Sequence, residues 1–266
     1  IQCFGLDRFD LSHGLYGCTT AGKPADAAVE RDLAENLDLL PANIWSHEEE
    51  HVFVGALEMQ PTLLRTVLEP LKDRYDYLVL DCPPALGPLT RAALTAADRY
   101  LVPVQAEALN LATIGRLENL AADIRGTLNP DLEREGLVVS MADTRTRHAG
   151  NIIERLSKEY PRDLLQTIIP RSIRVADDAG RGRPTVMTRA RTRAGEAFQD
   201  LAEEILARHS RERAAEAAEQ AGEPAPETEM WRTVLEEFPD DPDLVEAPAT
   251  GNGHGVPSGL RRWELE

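Results

Sequence analysis

The sequence predicts an α/β protein with a mostly parallel sheet and helices on both faces. Three observations carry that expectation. Strand-like apolar runs alternate with helical patterns through most of the chain. The run 78–80, Leu-Val-Leu, has no turn residue inside it and reads as a buried parallel strand covered on both faces. Residues 110–128 place Leu111, Ile114, Leu117, Leu120, Ile124 and Leu128 at helical spacing.

Each element follows from local chemistry. Residues 1–22 read as a strand end running into a loop, with Ser12, Gly14 and Gly17 in the loop. Residues 26–35 have helical character. Residues 37–43 form a short strand stopped by Pro41. A helix over 46–60 begins near Ser46, with three glutamates behind it as a helix N-terminus prefers. Pro61 interrupts, and 62–73 resumes as a second helix. Strand 76–81 precedes a helix over 89–97, and 100–104 is the next strand. After the helix at 110–128 come a strand at 136–141 and a helix at 148–160. A strand at 164–169 ends at Pro170. The last helix, 193–209, turns Ala197, Leu201, Ile205 and Leu206 to its apolar side.

Strand 76–81 organises this reading because of what closes it. Asp81 sits at its C-terminal end, followed by Pro83, Pro84 and Gly87. Open α/β sheets bind ligands at the carboxyl ends of their strands. A carboxylate there can hold Mg²⁺, directly or through water, beside a triphosphate. The alternative is an ordinary aspartate that closes a strand at a turn.

Composition bounds the function. The 266 residues suffice for one large α/β domain with extensions or two small ones. No apolar run approaches the roughly 18 residues of a membrane span, and no secretory signal is visible. Cys3, Cys18 and Cys82 lack CxxC spacing, which argues against a disulfide framework or a zinc site and fits a reducing cytoplasm. The net charge of −17 argues against a chain that binds polyanions over its whole surface. Lysine occurs three times, at Lys23, Lys72 and Lys158, against 26 arginines. Of the net charge, −9 lies in 209–266, which is rich in Ala, Glu, Pro and Gly and is expected to be a disordered acidic tail. Within it, 229–238 with Trp231, Val234 and Leu235 reads as a short helix, transient or partner-docking. The expected domains are 1–208 and this tail.

Five segments in order resemble the ParA/Soj family of partition ATPases: 36–43 (Asn-Leu-Asp-Leu-Leu-Pro-Ala-Asn), 75–87, 101–107, 140–146 and 168–174. The resemblance covers roughly 1–207. It implies a P-loop NTPase fold of the ParA/MinD-like kind, with ATP and Mg²⁺ as cofactors. The family carries a KGGxGKT loop whose backbone amides and two lysines hold phosphates. This sequence has none. Its one Gly-Lys pair, Gly22-Lys23, precedes Pro24 and reads as a surface turn. The first strand and phosphate loop are therefore expected to be missing. The chain, which begins with isoleucine, is expected to be a fragment of a longer protein, inactive alone and poorly soluble or partly unfolded.

The resemblance assigns residues one by one. Asp7 would match an aspartate near the attacking water, although Arg8-Phe9 stands where the family has Pro-Gln. Asp81 would match the Walker B-like aspartate that supports Mg²⁺. Pro83, Pro84 and Gly87 would match the γ-phosphate-sensing segment. Ser140, Met141, Pro170 and Arg171 would lie near the adenine. Arg181, Arg183, Arg189, Arg191 and Arg193, with no acidic residue between Asp178 and Glu196, would bind DNA non-specifically through phosphates. The alternative for this run is a solvated loop. The implied partners are a second copy of the chain, DNA and a centromere-bound protein of the ParB type, acting in the cytoplasm on the nucleoid. A second reading is a non-catalytic protein that uses the fold as an interaction surface. A third, membrane attachment through a C-terminal amphipathic helix, fits poorly because 207–220 is charged on most faces.

Overall fold

The structure is a computed structural model that describes residues 4, 6, 14–106, 108–143 and 146–220. The chain divides into two compact units, 1–204 and 205–266. The described part of the second unit, 205–220, is helical, and within it Ser210 Oγ donates to the Leu206 carbonyl.

The first unit begins with α1 (Leu15–Ala21), whose first amides are held by distant carbonyls: Leu15 N donates to Pro41 O at 2.8 Å and Tyr16 N to Ala42 O at 3.0 Å. The sequence reading had this stretch as loop. Where 26–35 was expected to be helical, a 3-10 turn at Ala25–Ala28 leads into strand β1 (Glu30–Ala34), which pairs antiparallel with β2 (Leu37–Leu39). The correction has a local cause. Asn36 adopts φ 58° in the two-residue turn between them, a left-handed conformation that asparagine tolerates and a helix does not.

Helix α2 (His47–Met59) starts where expected, through a capping box: Ser46 Oγ accepts from the Glu49 amide and the Glu49 carboxylate accepts from the Ser46 amide. Helix α3 (Leu63–Leu68) follows, ending in a 3-10 turn at Glu69–Leu71. Helix α4 (Pro88–Ala96) packs with α1, α2 and α3 around Phe53, Leu57, Leu64, Leu68, Leu71 and Ala93.

The sheet is β3 (Arg99–Gln105), β4 (Glu133–Ala142) and β5 (Leu164–Pro170), parallel and in that order. Crossovers α5 (Ala108–Thr127) and α6 (Arg147–Glu159) join them. Val104, Leu137 and Val139 bury against Ile124 and Leu156 on one face; Val138, Leu165 and Ile169 meet Ala197, Phe198 and Leu201 on the other. That second layer belongs to α9 (Arg193–Gln220), which follows α7 (Ile173–Gly180) and α8 (Thr185–Thr188). Helices on both faces are thus as expected.

Strand 76–81 is not. These residues form no strand, and no described strand pairs with them. Extended backbone becomes a strand only when a neighbour takes its amides and carbonyls. Here Val79 is 89% exposed, and only Leu80 packs against the α1–α4 cluster. The two sides of the sheet also differ. On β5, the Glu204 carboxylate accepts from the amides of Gln166 and Thr167 at 2.8 and 2.9 Å. On β3, no described strand pairs along the edge away from β4.

Candidate functional site

The carboxyl ends of the sheet bring four predicted residues together. Gln105 stands opposite Ser140, and Ala142 opposite Pro170. The Arg171 amide donates to the Ala142 carbonyl at 3.0 Å, extending the ladder one residue past β5. Ser140, Met141, Pro170 and Arg171 therefore share one rim. Met141 has φ 52°, a left-handed conformation that costs on the order of 1 kcal/mol in a residue with a Cβ. Its side chain is 59% exposed. Gln105 Nε2 reaches Met141 Sδ at 3.6 Å. The sequence reading missed Gln105, although its place just after the strand at 100–104 was the available signal.

Asp81, Pro83 and Pro84 lie on the exposed, unpaired segment, and Gly87 caps α4 with Pro88 in its first turn. Thr90 Oγ1 donates to the Ala85 carbonyl at 2.6 Å and ties this turn to the helix. Among the described residues, no hydrogen bond or ion pair links Asp81 to the rim formed by Ser140 and Arg171. The Asp81 charge, after desolvation, helps to push the neighbouring Cys82 thiol upward. Asp7 lies outside the described residues.

The donor set answers which cofactor these residues fit. Mg²⁺ beside a nucleotide needs one or two carboxylates, the rest being water and phosphate oxygens. Asp81 is an exposed carboxylate of the type such a role needs, but no hydrogen bond or ion pair among the described residues joins it to the rim at the carboxyl ends of the sheet. No described group of three or more His, Cys, Asp or Glu forms an all-protein metal cage. A phosphate cradle is a different matter. Lys72 pairs with Glu69 and Asp98, and Lys158 with Glu154. Gly22-Lys23 is the end of α1, with Gly22 at φ 64° and the Lys23 amide on the Gly17 carbonyl, the surface turn that was expected. The described residues contain no glycine-rich loop with paired lysines.

A second cluster is cationic. Arg171, Arg174, Arg181, Arg183, Arg191 and Arg193 are exposed, and none forms an ion pair with a described residue. Some other arginines are paired, Arg31 with Asp26 and Asp38, Arg74 with Asp26, Arg99 with Glu133, and Arg134 with Glu118 and Asp163, whereas Arg91, Arg147 and Arg162 are scattered, exposed and without an ion pair to a described residue. Arg189 sits between the two classes. Its Nε is 3.4 Å from the buried Asp178 carboxylate while its side chain stays 40% exposed. Of these seven residues the sequence points to Arg181, Arg183, Arg189, Arg191 and Arg193 as DNA-binding and to Arg171 as near the adenine, and it does not single out Arg174.

Comparison with known proteins agrees with this architecture. A family profile described as an AAA domain matches residues 1–134. The sporulation initiation inhibitor protein Soj of Bacillus subtilis is 34% identical over 208 residues, covering 76% of this chain and 80% of that protein. The chromosome partitioning protein ParA of Myxococcus xanthus is 34% identical over 206 residues, covering 77% and 72%. Among solved structures, cobyrinic acid a,c-diamide synthase from Mycobacterium smegmatis, with bound ADP and magnesium, superposes with a TM-score of 0.61 at 25% identity, covering 76% of this chain and 75% of that one. A parallel α/β sheet closed by helices on both faces, together with that identity over most of both chains, places the protein in the ParA/Soj family of P-loop ATPases.

Proposed function

We propose that the protein acts in DNA partition through the exposed arginine surface of 171–193. The supporting observation is that Arg174, Arg181, Arg183, Arg191 and Arg193 are all exposed within this one stretch and form no ion pair with a described residue. Phosphate contacts are what such a surface can make, and they are sequence-independent. The cluster is local, so the acidic total does not cancel it: charges more than about 8 Å away are screened at physiological salt. In this reading Arg181, Arg183, Arg189, Arg191 and Arg193 bind DNA, two copies act together on the nucleoid, and a ParB-type partner stimulates turnover. ATP and Mg²⁺ are the cofactors, with Asp81 on the metal and Ser140, Met141, Pro170 and Arg171 near the base. Pro83, Pro84 and Gly87 form the segment that responds to the terminal phosphate. The phosphate cradle needed for catalysis comes from outside the described residues, so the described residues alone do not hydrolyse ATP. A second reading, a non-catalytic binding protein, is favoured by that same lack of a cradle.

The test is fluorescence anisotropy with two duplexes of unrelated sequence over a salt series. The expected result is equal affinity for both, with log K falling against log salt at a slope of about −4 to −5 for five phosphate contacts. In the triple variant R181A/R183A/R191A the slope should flatten by about 3. A flat salt response in the parent chain, or an unchanged slope in the variant, overturns the proposal.

A further inference from the structure

The arginine surface is built on one buried carboxylate. Asp178 is 4% exposed, yet its neighbour Asp177, one helical step away, is open to solvent. The Asp178 carboxylate holds two side chains from further along the chain. Thr185 Oγ1, itself buried, donates to Oδ2 at 3.0 Å, and Arg189 Nε approaches Oδ1 at 3.4 Å. The Asp178 backbone carbonyl accepts from the amides of Arg181 and Arg183 at 3.1 and 3.0 Å. The carboxylate thus fixes the start of α8 and the Arg189 guanidinium, while the bonds under Arg181 and Arg183 come from the main chain at the same position and do not depend on the side chain.

The tract is pinned again at its far end. Thr192 Oγ1 donates to the Arg189 carbonyl at 2.8 Å and accepts from the Gly195 amide at 3.2 Å. A Cβ on Gly195 would lie 2.6 Å from the Arg189 carbonyl oxygen, so only glycine lets the first turn of α9 come this close. Between the two pins the chain folds through short local bonds, including the Arg189 amide on Thr185 O at 2.7 Å. With no extended secondary structure to order it, the tract that carries Arg181, Arg183 and Arg189 is tied down through the Asp178 carboxylate at Thr185 and Arg189.

We infer that Asp178 is a positioning residue for polyanion binding: it holds Arg181, Arg183 and Arg189 in one outward-facing set that matches a phosphate backbone. This rests on the DNA-binding reading above. It also makes a prediction of unusual sign. Asp178 carries a negative charge beside a cationic surface, so removing that charge, taken alone, would strengthen binding to a polyanion. If Asp178 positions the arginines, removing it weakens binding instead, because an ordered set of cations is exchanged for a mobile one.

The experiment compares the full chain with D178A, D178N and T185V by duplex anisotropy over a salt series, at a temperature where circular dichroism shows all four folded. D178A should bind about tenfold more weakly, with a salt slope flatter by about 1 as the Arg189 contact is lost. D178N keeps an acceptor for Thr185 and should fall between parent and D178A. A second readout needs no DNA: trypsin cleaves after arginine, and D178A should be cut faster within 181–193 while sites in α6 are cut at the parental rate. Binding by D178A that is equal to or tighter than the parent's overturns the inference. So does an unchanged cleavage rate in the tract. A parent chain without salt-dependent DNA binding, but with accelerated cleavage in D178A, overturns the DNA reading and keeps Asp178 as the organiser of the tract.

Discussion

Asn129 offers a quantitative test of how the α4 layer is joined to the sheet layer. Its side chain is buried, and Nδ2 donates to two carbonyls at the end of α4: Leu94 O at 3.0 Å and Ala97 O at 2.7 Å. These are among the last carbonyls of that helix, which have no intrahelical partner of their own. Replacing Asn129 by alanine deletes both bonds and leaves two carbonyls facing a small void. Each net hydrogen bond is worth about 0.5–1.5 kcal/mol, and a buried group left unsatisfied costs about 1–3 kcal/mol. Because Ala97 is only half-buried and can recruit water, one carbonyl carries most of the penalty. The expected loss for N129A is about 2–4 kcal/mol, or about 5–15 °C in melting temperature for a domain of this size. N129D should be worse, since it removes the donors and places a carboxylate against two carbonyl oxygens. Urea unfolding followed by circular dichroism measures this, with a lowered midpoint and an unchanged m-value as the signature. A change in N129A smaller than about 0.5 kcal/mol would refute the reasoning, because that is the range of a surface substitution.

Two further outcomes follow from the site and its surroundings. Calorimetry of the purified chain with ATP and Mg²⁺ should show no binding, and D81N should leave that result unchanged; micromolar binding would mean that Asp81 and the rim hold nucleotide without a phosphate loop. Asp38 is held below the ordinary carboxylate range, first by the Tyr75 hydroxyl donating at 2.7 Å and then by the Asp32 amide. A depressed carboxylate stabilises the fold above its unfolded pKa and loses that contribution as pH falls through the folded value. Y75F should therefore raise the Asp38 titration midpoint towards the ordinary value of about 3.9. Carbon-detected NMR of the Asp38 carboxyl reads this directly, and an unmoved midpoint would show that the hydroxyl is not the cause.

What could be read from the sequence divides along a physical line. Helix α2 was legible because Ser46 and Glu49 make a capping box within four residues. The strands β3, β4 and β5 were legible because each is an apolar run bounded by turn residues. The hairpin β1–β2 was not, because its partners close through a left-handed Asn36 in a stretch without glycine or proline. The segment at 76–81 failed for the opposite reason. Its local signal is strong, but a strand is a relation between neighbours, and no described strand pairs with the segment that holds Val79. At the site, the rim residues were found through family resemblance, and Asp178 was not found at all. In Asp177-Asp178 nothing in composition distinguishes the exposed carboxylate from the buried one; the phase of α7 against Thr185 does.

The unequal edges of the sheet give the molecule a direction of growth. Glu204 occupies the amides of Gln166 and Thr167, so a foreign strand approaching β5 would have to displace a carboxylate already bonded to the positions it needs. At β3 no described strand pairs on the side away from β4, and Leu101 is partly exposed. Recruitment of any extended segment, from this polypeptide or another, is therefore one-sided. An additional strand enters at β3, next to Gln105 and the rim, and leaves the α9 side undisturbed. A partner that completed the sheet would in the same act reach the rim formed by Ser140, Met141, Pro170 and Arg171.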